Sequence, residues 1–290
     1  MHRAALVLGV FTALLASGCG GGSADDPLSY EADEPLAVER GARTARDGVV
    51  VQAVSYASGD DRVDGYLVSP SADGERLPAV VFLHGAGGDR GEQLESARAL
   101  ARRGAIALTV TAPSRGKTAP AGLTTEELVR WQGGTVAADL VAVRRGLDLL
   151  AADDRVDADR LGVVGWSMGG RLAAIVAGVD ERVRATVLMS VGAAAVDEYV
   201  GAAPPELQDV VREVLEPIDP LTHVAHARGA MLVQAGRRDE VVPQEALHTV
   251  IAAAPADTKV IWYAADHGLD ERAGRERLDW LARELDVGRA

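Results

Sequence analysis

A serine flanked by glycines is the strongest candidate for chemistry in this sequence. Residues 165–170 read GWSMGG and follow a short apolar run at 161–164. A G-x-S-x-G pattern between a strand and a helix is typical of a tight, strained turn that lifts the serine hydroxyl above a sheet. Side chains at Gly165 and Gly169 would collide with the neighbouring backbone of such a turn. Ser167 is therefore predicted to be a nucleophile, and the alternative is a glycine-rich turn with an incidental serine.

A histidine and an acid late in the chain could complete this chemistry. A serine hydroxyl needs a base to take its proton, and the order expected after this motif is Ser, then Asp or Glu, then His. Among the six histidines, only His267 follows the last apolar run with an acid-bearing strand end before it. Asp239 follows the penultimate run and is expected to orient the imidazole. Glu240 and Asp266 are the competing acids, and the alternative for each predicted residue is an ordinary surface position.

Two backbone N–H groups are expected to bind the negative charge that develops during such a reaction. One is the N–H of Met168, directly after the serine. The other lies in the loop 84–88, which reads HGAGG after an apolar run, and the N–H of Ala86 is the favoured donor. His84 is then expected to brace the loop rather than to act as a second base. A phosphate-binding loop is the alternative, but the G-x-x-x-x-G-K-[ST] pattern is absent.

These segments need elements that place them at one edge of a sheet. Eight apolar or alternating runs are typical of strands, and helical patterns lie between most of them. This alternation predicts an α/β fold with a mostly parallel, eight-stranded sheet and helices on both faces, with the chemistry at the carboxyl ends of the strands. The predicted strands are 49–57, 63–68, 79–83, 105–110, 161–164, 185–189, 231–233 and 259–263. The predicted helices are 93–103, 125–151 with a break near Gly133, 171–177, 206–215, 243–253 and 271–285.

Composition and charge restrict the class of protein further. The 290 residues are 48% apolar and 25% charged, with a net charge of −13, which excludes a disordered chain, a collagen-like repeat and a coiled coil. The excess of acids argues against a nucleic-acid partner, because binding phosphates requires a basic face. A single cysteine, Cys19, excludes an intramolecular disulfide framework and a cysteine-based zinc cluster.

The first 18 residues have the pattern of a secretion signal. A short basic start precedes an apolar run at 4–16 that is too short to remain as a membrane span. The small residues before Cys19 resemble the lipobox of bacterial lipoproteins, which implies cleavage there, a lipid on Cys19 and a membrane anchor at the bacterial cell envelope. An ordinary signal peptide with a chance cysteine is the alternative. Residues 19–46 are predicted to form a flexible tether, and 47–290 the folded domain.

Taken together, the motifs resemble those of the α/β-hydrolases. The segments at 84–88, 165–170, 236–243 and 266–268 occur in the order and strand context of that superfamily, and they are most similar to its dienelactone-hydrolase-like and prolyl-oligopeptidase-like branch. The resemblance implies an α/β-hydrolase fold and hydrolysis of a small-molecule carboxylic ester through an acyl-enzyme, with no metal and no cofactor. Ser167 stands where true dienelactone hydrolases have cysteine. There is no room for the oligopeptidase propeller, which favours esters over peptides.

Two other activities and several pocket residues complete the predictions. A peptidase or acyltransferase with the same residues is one alternative, and a non-catalytic binding lipoprotein on this fold is the other. Trp166, Trp131 and Arg115 are candidate pocket residues, Arg115 because its turn resembles one in the same branch; core packing is the alternative for Trp166. Residues 191–228 exceed the length of a plain crossover and could form a small cap over the site, or a peripheral helix.

Overall fold

In the computed structural model, which describes residues 26–71 and 76–288, nine strands form one sheet. They are β1 Glu39–Arg46, β2 Val49–Ser58, β3 Asp61–Pro70, β4 Leu77–Leu83, β5 Ile106–Val110, β6 Val156–Trp166, β7 Val183–Met189, β8 Ala230–Gly236 and β9 Lys259–Tyr263. Their order is β1-β2-β3-β5-β4-β6-β7-β8-β9. The pairs from β5 to β9 are parallel, and the pairs β1–β2, β2–β3 and β3–β5 are antiparallel. The predicted α/β class and mostly parallel sheet are confirmed, with one strand more than the eight predicted.

Helices cover both faces of this sheet, as predicted. In chain order they are α1 Leu94–Ala101, α2 Thr125–Ala151, α3 Met168–Val179, α4 Val196–Ala202, α5 Gln208–Leu215, α6 Pro220–Val224, α7 Gln244–Ala253 and α8 Glu271–Glu284. Alternate residues of the central strands enter two separate apolar layers. Val81 and Val163 pack in the layer with α2 and α3, whereas Val80 and Val164 pack in the layer with α1 and α8. Strands buried on both faces have continuous apolar runs, which is why the sequence pattern located them.

Helix α2 is continuous, which corrects the break predicted near Gly133. It begins at a capping box, in which Thr124 and Glu127 satisfy each other's backbone N–H groups. A β-carbon on Gly133 would overlap the side chain of Val214 on α5. The glycine therefore permits close contact between two helices rather than ending one, and the backbone hydrogen bonds of the long helix continue through it.

The described part of the predicted tether, residues 26–46, is not free of the domain, and the prediction is wrong for these residues. Leu28 is only 4% exposed and packs in the apolar layer with α2 and α3. Arg144 on α2 donates to the Leu28 carbonyl at 2.7 Å, and Arg145 donates to the Glu34 carbonyl at 2.6 Å. The Tyr30 hydroxyl donates to Asp148 at 3.2 Å. Two arginines of one helix thus hold an otherwise irregular segment.

The ninth strand, β1, lies within the same segment. All eight of its residues are exposed, so the sequence carries no alternation of apolar and polar residues that would predict a strand. Its pairing with β2 depends on backbone hydrogen bonds across the ladder. The predicted signal peptide and Cys19 lie outside the described residues. In the described ranges, none of the helices combines the length and apolarity needed to cross a bilayer.

The segment 191–228 contains α4, α5, α6 and two short 3₁₀ turns. Helix α5 packs on the first half of α2 beside Gly133, and Arg130 of α2 makes a two-pronged ion pair with Glu213 of α5 at 2.7 and 3.0 Å. Since α2 starts after the carboxyl end of β5 and ends just before β6, this contact lies toward the carboxyl edge of the sheet. Helix α5 is therefore on the side where the predicted chemistry belongs, whereas α6 packs against the end of α3 at Gly178. The role of the segment as a cap stays a prediction.

Candidate active site

The predicted nucleophile occupies the turn between β6 and α3. Ser167 has φ +54° and ψ −112°, a left-handed backbone conformation that a residue with a side chain adopts only under strain. Its N–H donates to the Met189 carbonyl at 2.8 Å, and its carbonyl accepts from the Gly170 N–H at 3.0 Å. Hydrogen bonds from two sides thus hold the strained residue, as the G-x-S-x-G pattern predicted.

The glycines of this turn are required by close backbone contacts. A β-carbon on Gly165 would overlap the backbone of Gly169, and one on Gly169 would lie 2.5 Å from the carbonyl oxygen of His84. The predicted collisions are confirmed. The second contact also shows that the start of α3 lies directly against the loop 84–88, and the Gly169 N–H donates to the His84 carbonyl at 3.1 Å.

His267 and Asp239 are brought together by the loops that follow β9 and β8. His267 Nδ1 lies 2.8 Å from Asp239 Oδ2, and the Asp239 side chain is 0% exposed. The other carboxylate oxygen accepts from the N–H groups of Val241 and Val242, both at 2.9 Å. Because the carboxylate accepts all three hydrogen bonds, the imidazole proton lies on Nδ1, which leaves Nε2 free to act as a base.

The two competing acids lie elsewhere. Asp266 is exposed and pairs with Arg238 at 3.1 Å, and Glu240 is exposed, without a hydrogen bond in the described ranges. Neither contacts the imidazole. The geometry therefore favours Asp239 as the partner of His267.

Trp166 connects the nucleophile turn to the histidine loop. Its indole Nε1–H donates to the His267 carbonyl at 3.0 Å, and the two rings are 5.3 Å apart between centroids. Ser167 is the next residue in the chain, so this contact holds the serine turn beside the imidazole. The Ser167 hydroxyl makes no hydrogen bond within the described structure; a nucleophile–base hydrogen bond often tightens only when substrate is bound.

The loop 84–88 is braced by His84, as predicted. Its Nδ1 lies 2.6 Å from the Gly85 carbonyl, and its Nε2 accepts from the Ala112 N–H at 3.0 Å. Because Nε2 is an acceptor, Nδ1 carries the proton, so both ring nitrogens are engaged. A buried imidazole in this state holds the loop in place and is unsuited to act as a second base.

The two N–H groups predicted to bind negative charge have no acceptor in the described part of the protein. The Gly85 N–H donates to the Glu92 carboxylate at 2.7 Å, whereas the N–H groups of Ala86 and Met168 have no acceptor among the described residues. Free N–H groups at a helix start and in an adjoining loop are the arrangement that an oxyanion requires. Sequence reasoning missed Glu92, because nothing in its spacing shows that it bonds back to the loop.

Ser190 is a second residue that sequence reasoning missed. It follows β7 directly, is fully buried, and donates from Oγ to the His267 carbonyl at 2.8 Å. A small polar residue at the carboxyl end of a parallel strand was the available signal. That signal was not used, because Ser190 falls between the predicted strand at 185–189 and the segment 191–228.

Arg115 and Trp131 are not brought to the predicted triad. Arg115 is exposed, and no hydrogen bond, ion pair or ring contact joins either residue to Ser167, Asp239 or His267 in the described ranges. The Trp131 indole N–H is buried without a partner in that part of the structure. Their role in a pocket stays a prediction.

A buried acid lies beneath the site. Asp139 on α2 accepts from the Ser114 N–H at 2.8 Å and from its hydroxyl at 2.6 Å. Burial raises the pKa of this carboxyl to about 7, although the bonds from Ser114 act in the opposite direction. With His84 and Met168, Asp139 lines a narrow cavity. Among the residues that the structure describes, no three His, Cys, Asp or Glu side chains are grouped to hold a metal ion.

Comparison with known proteins identifies the family. A family model described as the dienelactone hydrolase family matches residues 63–285. The chain belongs to the dienelactone hydrolase family. It is a hydrolase, and the predicted branch of the α/β-hydrolases is confirmed. No curated protein matches the chain.

Solved structures share the fold at low sequence identity. An acetyl xylan esterase from Paenibacillus sp. R4 has a TM-score of 0.73 and 19% identity, covering 87% of this chain and 90% of its own. Acetyl xylan esterase 1 from Thermoanaerobacterium sp. JW/SL YS485 has a TM-score of 0.72 and 15% identity, covering 86% and 88%. A cold-adapted esterase from an Arctic intertidal metagenomic library has a TM-score of 0.64 and 19% identity, covering 84% and 98%. These similarities confirm the fold of this dienelactone hydrolase family member.

Proposed function

We propose that this family member hydrolyses carboxylic esters through an acyl-enzyme formed on Ser167. The observation that carries the proposal is the 2.8 Å contact between His267 Nδ1 and buried Asp239, beside a serine held at φ +54°. Strain at a nucleophile and a base oriented by a buried carboxylate are the two features that serine hydrolysis requires. Ser167 stands where true dienelactone hydrolases have cysteine, and a serine hydroxyl needs such a base to become a nucleophile.

Each step of the proposed reaction uses a group described above. Ser167 Oγ attacks the ester carbonyl while His267 Nε2 takes its proton, and the N–H groups of Ala86 and Met168 stabilise the oxyanion. His267 then gives the proton to the departing alkoxide, which leaves as an alcohol. A water molecule, deprotonated by His267, attacks the acyl-enzyme; the bond to Ser167 Oγ breaks, His267 returns the proton to that oxygen, and the acid leaves. Asp239 stabilises the imidazolium formed in both halves of the reaction.

A small ester is the substrate class that we propose. Three of the solved structures with this fold are named as esterases, and the cavity that Met168 lines with His84 and Asp139 is narrow. No feature of the described structure favours peptide hydrolysis or acyl transfer over ester hydrolysis. These two reactions are therefore treated as outcomes of the experiment rather than as separate proposals.

The decisive experiment combines active-site labelling with turnover. A fluorophosphonate probe is expected to modify Ser167, identified by peptide mass spectrometry, and the purified protein should hydrolyse p-nitrophenyl acetate. Ser167→Ala should lose both properties, whereas Ser69→Ala, which alters a buried serine of β3, should retain them. Labelling that persists in Ser167→Ala would refute the assignment. Turnover of peptides alone, or only with an added alcohol or amine acceptor, would replace ester hydrolysis with one of the alternatives.

We also propose that the protein is exported and anchored in the cell envelope by a lipid on Cys19. The support is the sequence before this residue, which is the only cysteine of the chain. In cells that express the full chain, Cys19→Ser should move the protein from the membrane fraction to the soluble fraction, with esterase activity unchanged. Equal fractionation of the two proteins would contradict the anchor without affecting the catalytic proposal.

A further inference from the structure

We infer that Ser190 and Trp166 are positioning residues that jointly hold the main chain of His267 beside the nucleophile. The inference rests on the proposed function, because it concerns how the base of that reaction is placed. Neither side chain is expected to contact the substrate's reacting atoms. Both act on the same atom, the carbonyl oxygen of His267, and each comes from a different strand end.

The carbonyl of His267 accepts two side-chain hydrogen bonds. Ser190 Oγ donates at 2.8 Å and Trp166 Nε1 donates at 3.0 Å. Two lone pairs allow a carbonyl oxygen to accept both. His267 lies in an exposed turn after β9, between the exposed residues Asp266 and Gly268, so its backbone has little burial of its own to fix it. The two donors provide this restraint at the residue whose ring must move a proton.

Ser190 is itself rigidly held. It is 0% exposed, its φ is +51°, and its N–H donates to the Gln234 carbonyl of β8 at 2.9 Å. The preceding residue, Met189, accepts the N–H of Ser167 at 2.8 Å. Two consecutive residues at the end of β7 therefore bond to the nucleophile and to the base. A single strand end thus fixes the distance between the two reacting residues, which are 100 positions apart in the chain.

Trp166 extends this restraint to the loop that carries the second oxyanion donor. A β-carbon on Gly85 would lie 2.6 Å from the indole ring, so the loop backbone lies directly against it. The same ring is 5.3 Å from the His267 ring between centroids. The indole consequently contacts both the backbone next to Ala86 and the proposed base, and the residue after it is the nucleophile.

Two donors on one acceptor predict a specific pattern of mutational effects. Removing either donor leaves the partly buried carbonyl paired with the other, whereas removing both leaves it without a protein partner, which costs disproportionately more. A base displaced by about 1 Å can lower the rate about 100-fold through lost alignment alone. The two substitutions should therefore be synergistic in kcat, and substrate binding should be little affected.

The test is a double-mutant cycle on ester hydrolysis, with Ser190→Ala and Trp166→Phe. Phenylalanine keeps an aromatic ring against Gly85 but removes the N–H. We expect each single variant to lower kcat about 3- to 5-fold and the double variant to lower it at least about 100-fold, well beyond the product of the single losses. KM should remain within about twofold of the wild-type value in all three. The rate of fluorophosphonate labelling, which depends on the same base, should fall in parallel with kcat.

Controls separate positioning from a loss of folding. Ser69→Ala removes a buried serine hydroxyl from β3 and should leave kcat unchanged. Thermal unfolding of each variant shows whether the protein is folded at the assay temperature, and kcat is compared only there. A double variant whose loss equals the product of the single losses, or whose loss is in KM, would overturn the inference. A wild-type protein that is neither labelled nor active would instead overturn the proposed function.

Discussion

Burial destabilises the ionised form of the Asp139 carboxyl more than the hydrogen bonds from Ser114 stabilise it. Burial is the largest influence and raises its pKa to about 7, against the lowering effect of Ser114. The ordinary value in an unfolded chain is close to 4. Between these two values the folded protein holds a proton that the unfolded chain has lost. Stability therefore falls as the pH rises from about 4 to about 7, and this contribution is constant above that range.

Asp139→Asn should remove this fall in stability with rising pH. The amide can accept from the Ser114 N–H and donate to its hydroxyl, but it does not titrate. We expect the variant to gain about 3 kcal/mol of stability relative to the wild type as the pH rises from 4.5 to 8, since most of a pKa shift of about three units is expressed in this range. Chemical denaturation of both proteins at several pH values measures this difference. A difference in unfolding free energy that is the same at every pH would contradict the raised pKa.

The sequence predicted the proposed catalytic residues better than the residues that hold them in place. Ser167, Asp239 and His267 were predictable as candidates because a strand end, a motif and a chain order each restrict them. Ser190 and Glu92 were not, since each bonds to a backbone atom of another loop, 77 residues away for Ser190 and seven for Glu92. Side-chain bonds to backbone groups impose no residue pattern on the partner, so only the folded structure reveals them.

Among the elements, the contact between α2 and α5 shows how one glycine differs from its neighbour. A β-carbon on Gly133 would overlap Val214, whereas one on Gly134 would meet nothing within 4 Å. Both glycines lie in the interior of a continuous helix, where glycine costs about 1 kcal/mol relative to alanine. The sequence pair looks like a helix break, but only one of the two has a structural reason to be glycine.

The neighbouring glycines provide a matched pair of variants. Gly134→Ala should stabilise the protein by about 0.5 to 1 kcal/mol through helix propensity. Gly133→Ala should lose this gain and destabilise the protein, because the methyl group displaces α5. In a protein that already carries Val214→Ala, the Gly133→Ala substitution should destabilise less than it does in the wild type. Denaturant unfolding measures all four; equal effects at the two glycines would show that α5 does not pack as described.

The strands differ in how strongly their residue patterns predict them. The central strands have apolar runs because both of their faces are buried, and β2 and β3 were among the eight apolar or alternating runs. Strand β1 was missed because its residues are all exposed, and a strand that is held mainly by its backbone ladder leaves no trace in hydrophobicity. Its place beside β2 depends on the chain before it, which is fixed on α2.

For the whole molecule, Arg145 is central to the attachment of the N-terminal segment. It is 2% exposed and donates to the Glu34 and Ala32 carbonyls at 2.6 and 3.3 Å, with Asp148 as its charged partner. Arg145→Met should leave these carbonyls unpaired and destabilise the protein by about 2 to 3 kcal/mol. A glutamate-specific protease should then cut the segment faster after Glu31 or Glu34.

An exposed arginine of the same helix is the control for this prediction. Arg130 pairs with Glu213 at the surface, and pairs of this kind contribute little to stability. Arg130→Met should therefore leave the protease sensitivity of residues 26–38 unchanged. Equal cleavage rates for Arg145→Met and the wild type would mean that the segment is held by contacts other than those of Arg145.

The attachment of residues 26–34 also determines which way an anchored domain faces. These residues contact the second half of α2, beside Asp148 and the start of β7, which is the amino edge of the sheet. Seven residue steps separate Asp26 from Cys19, a reach of at most about 25 Å. In a protein anchored by the lipid that we propose on Cys19, the amino edge would lie next to the bilayer. Ser167 at the opposite edge would then open away from the membrane, toward the surrounding water.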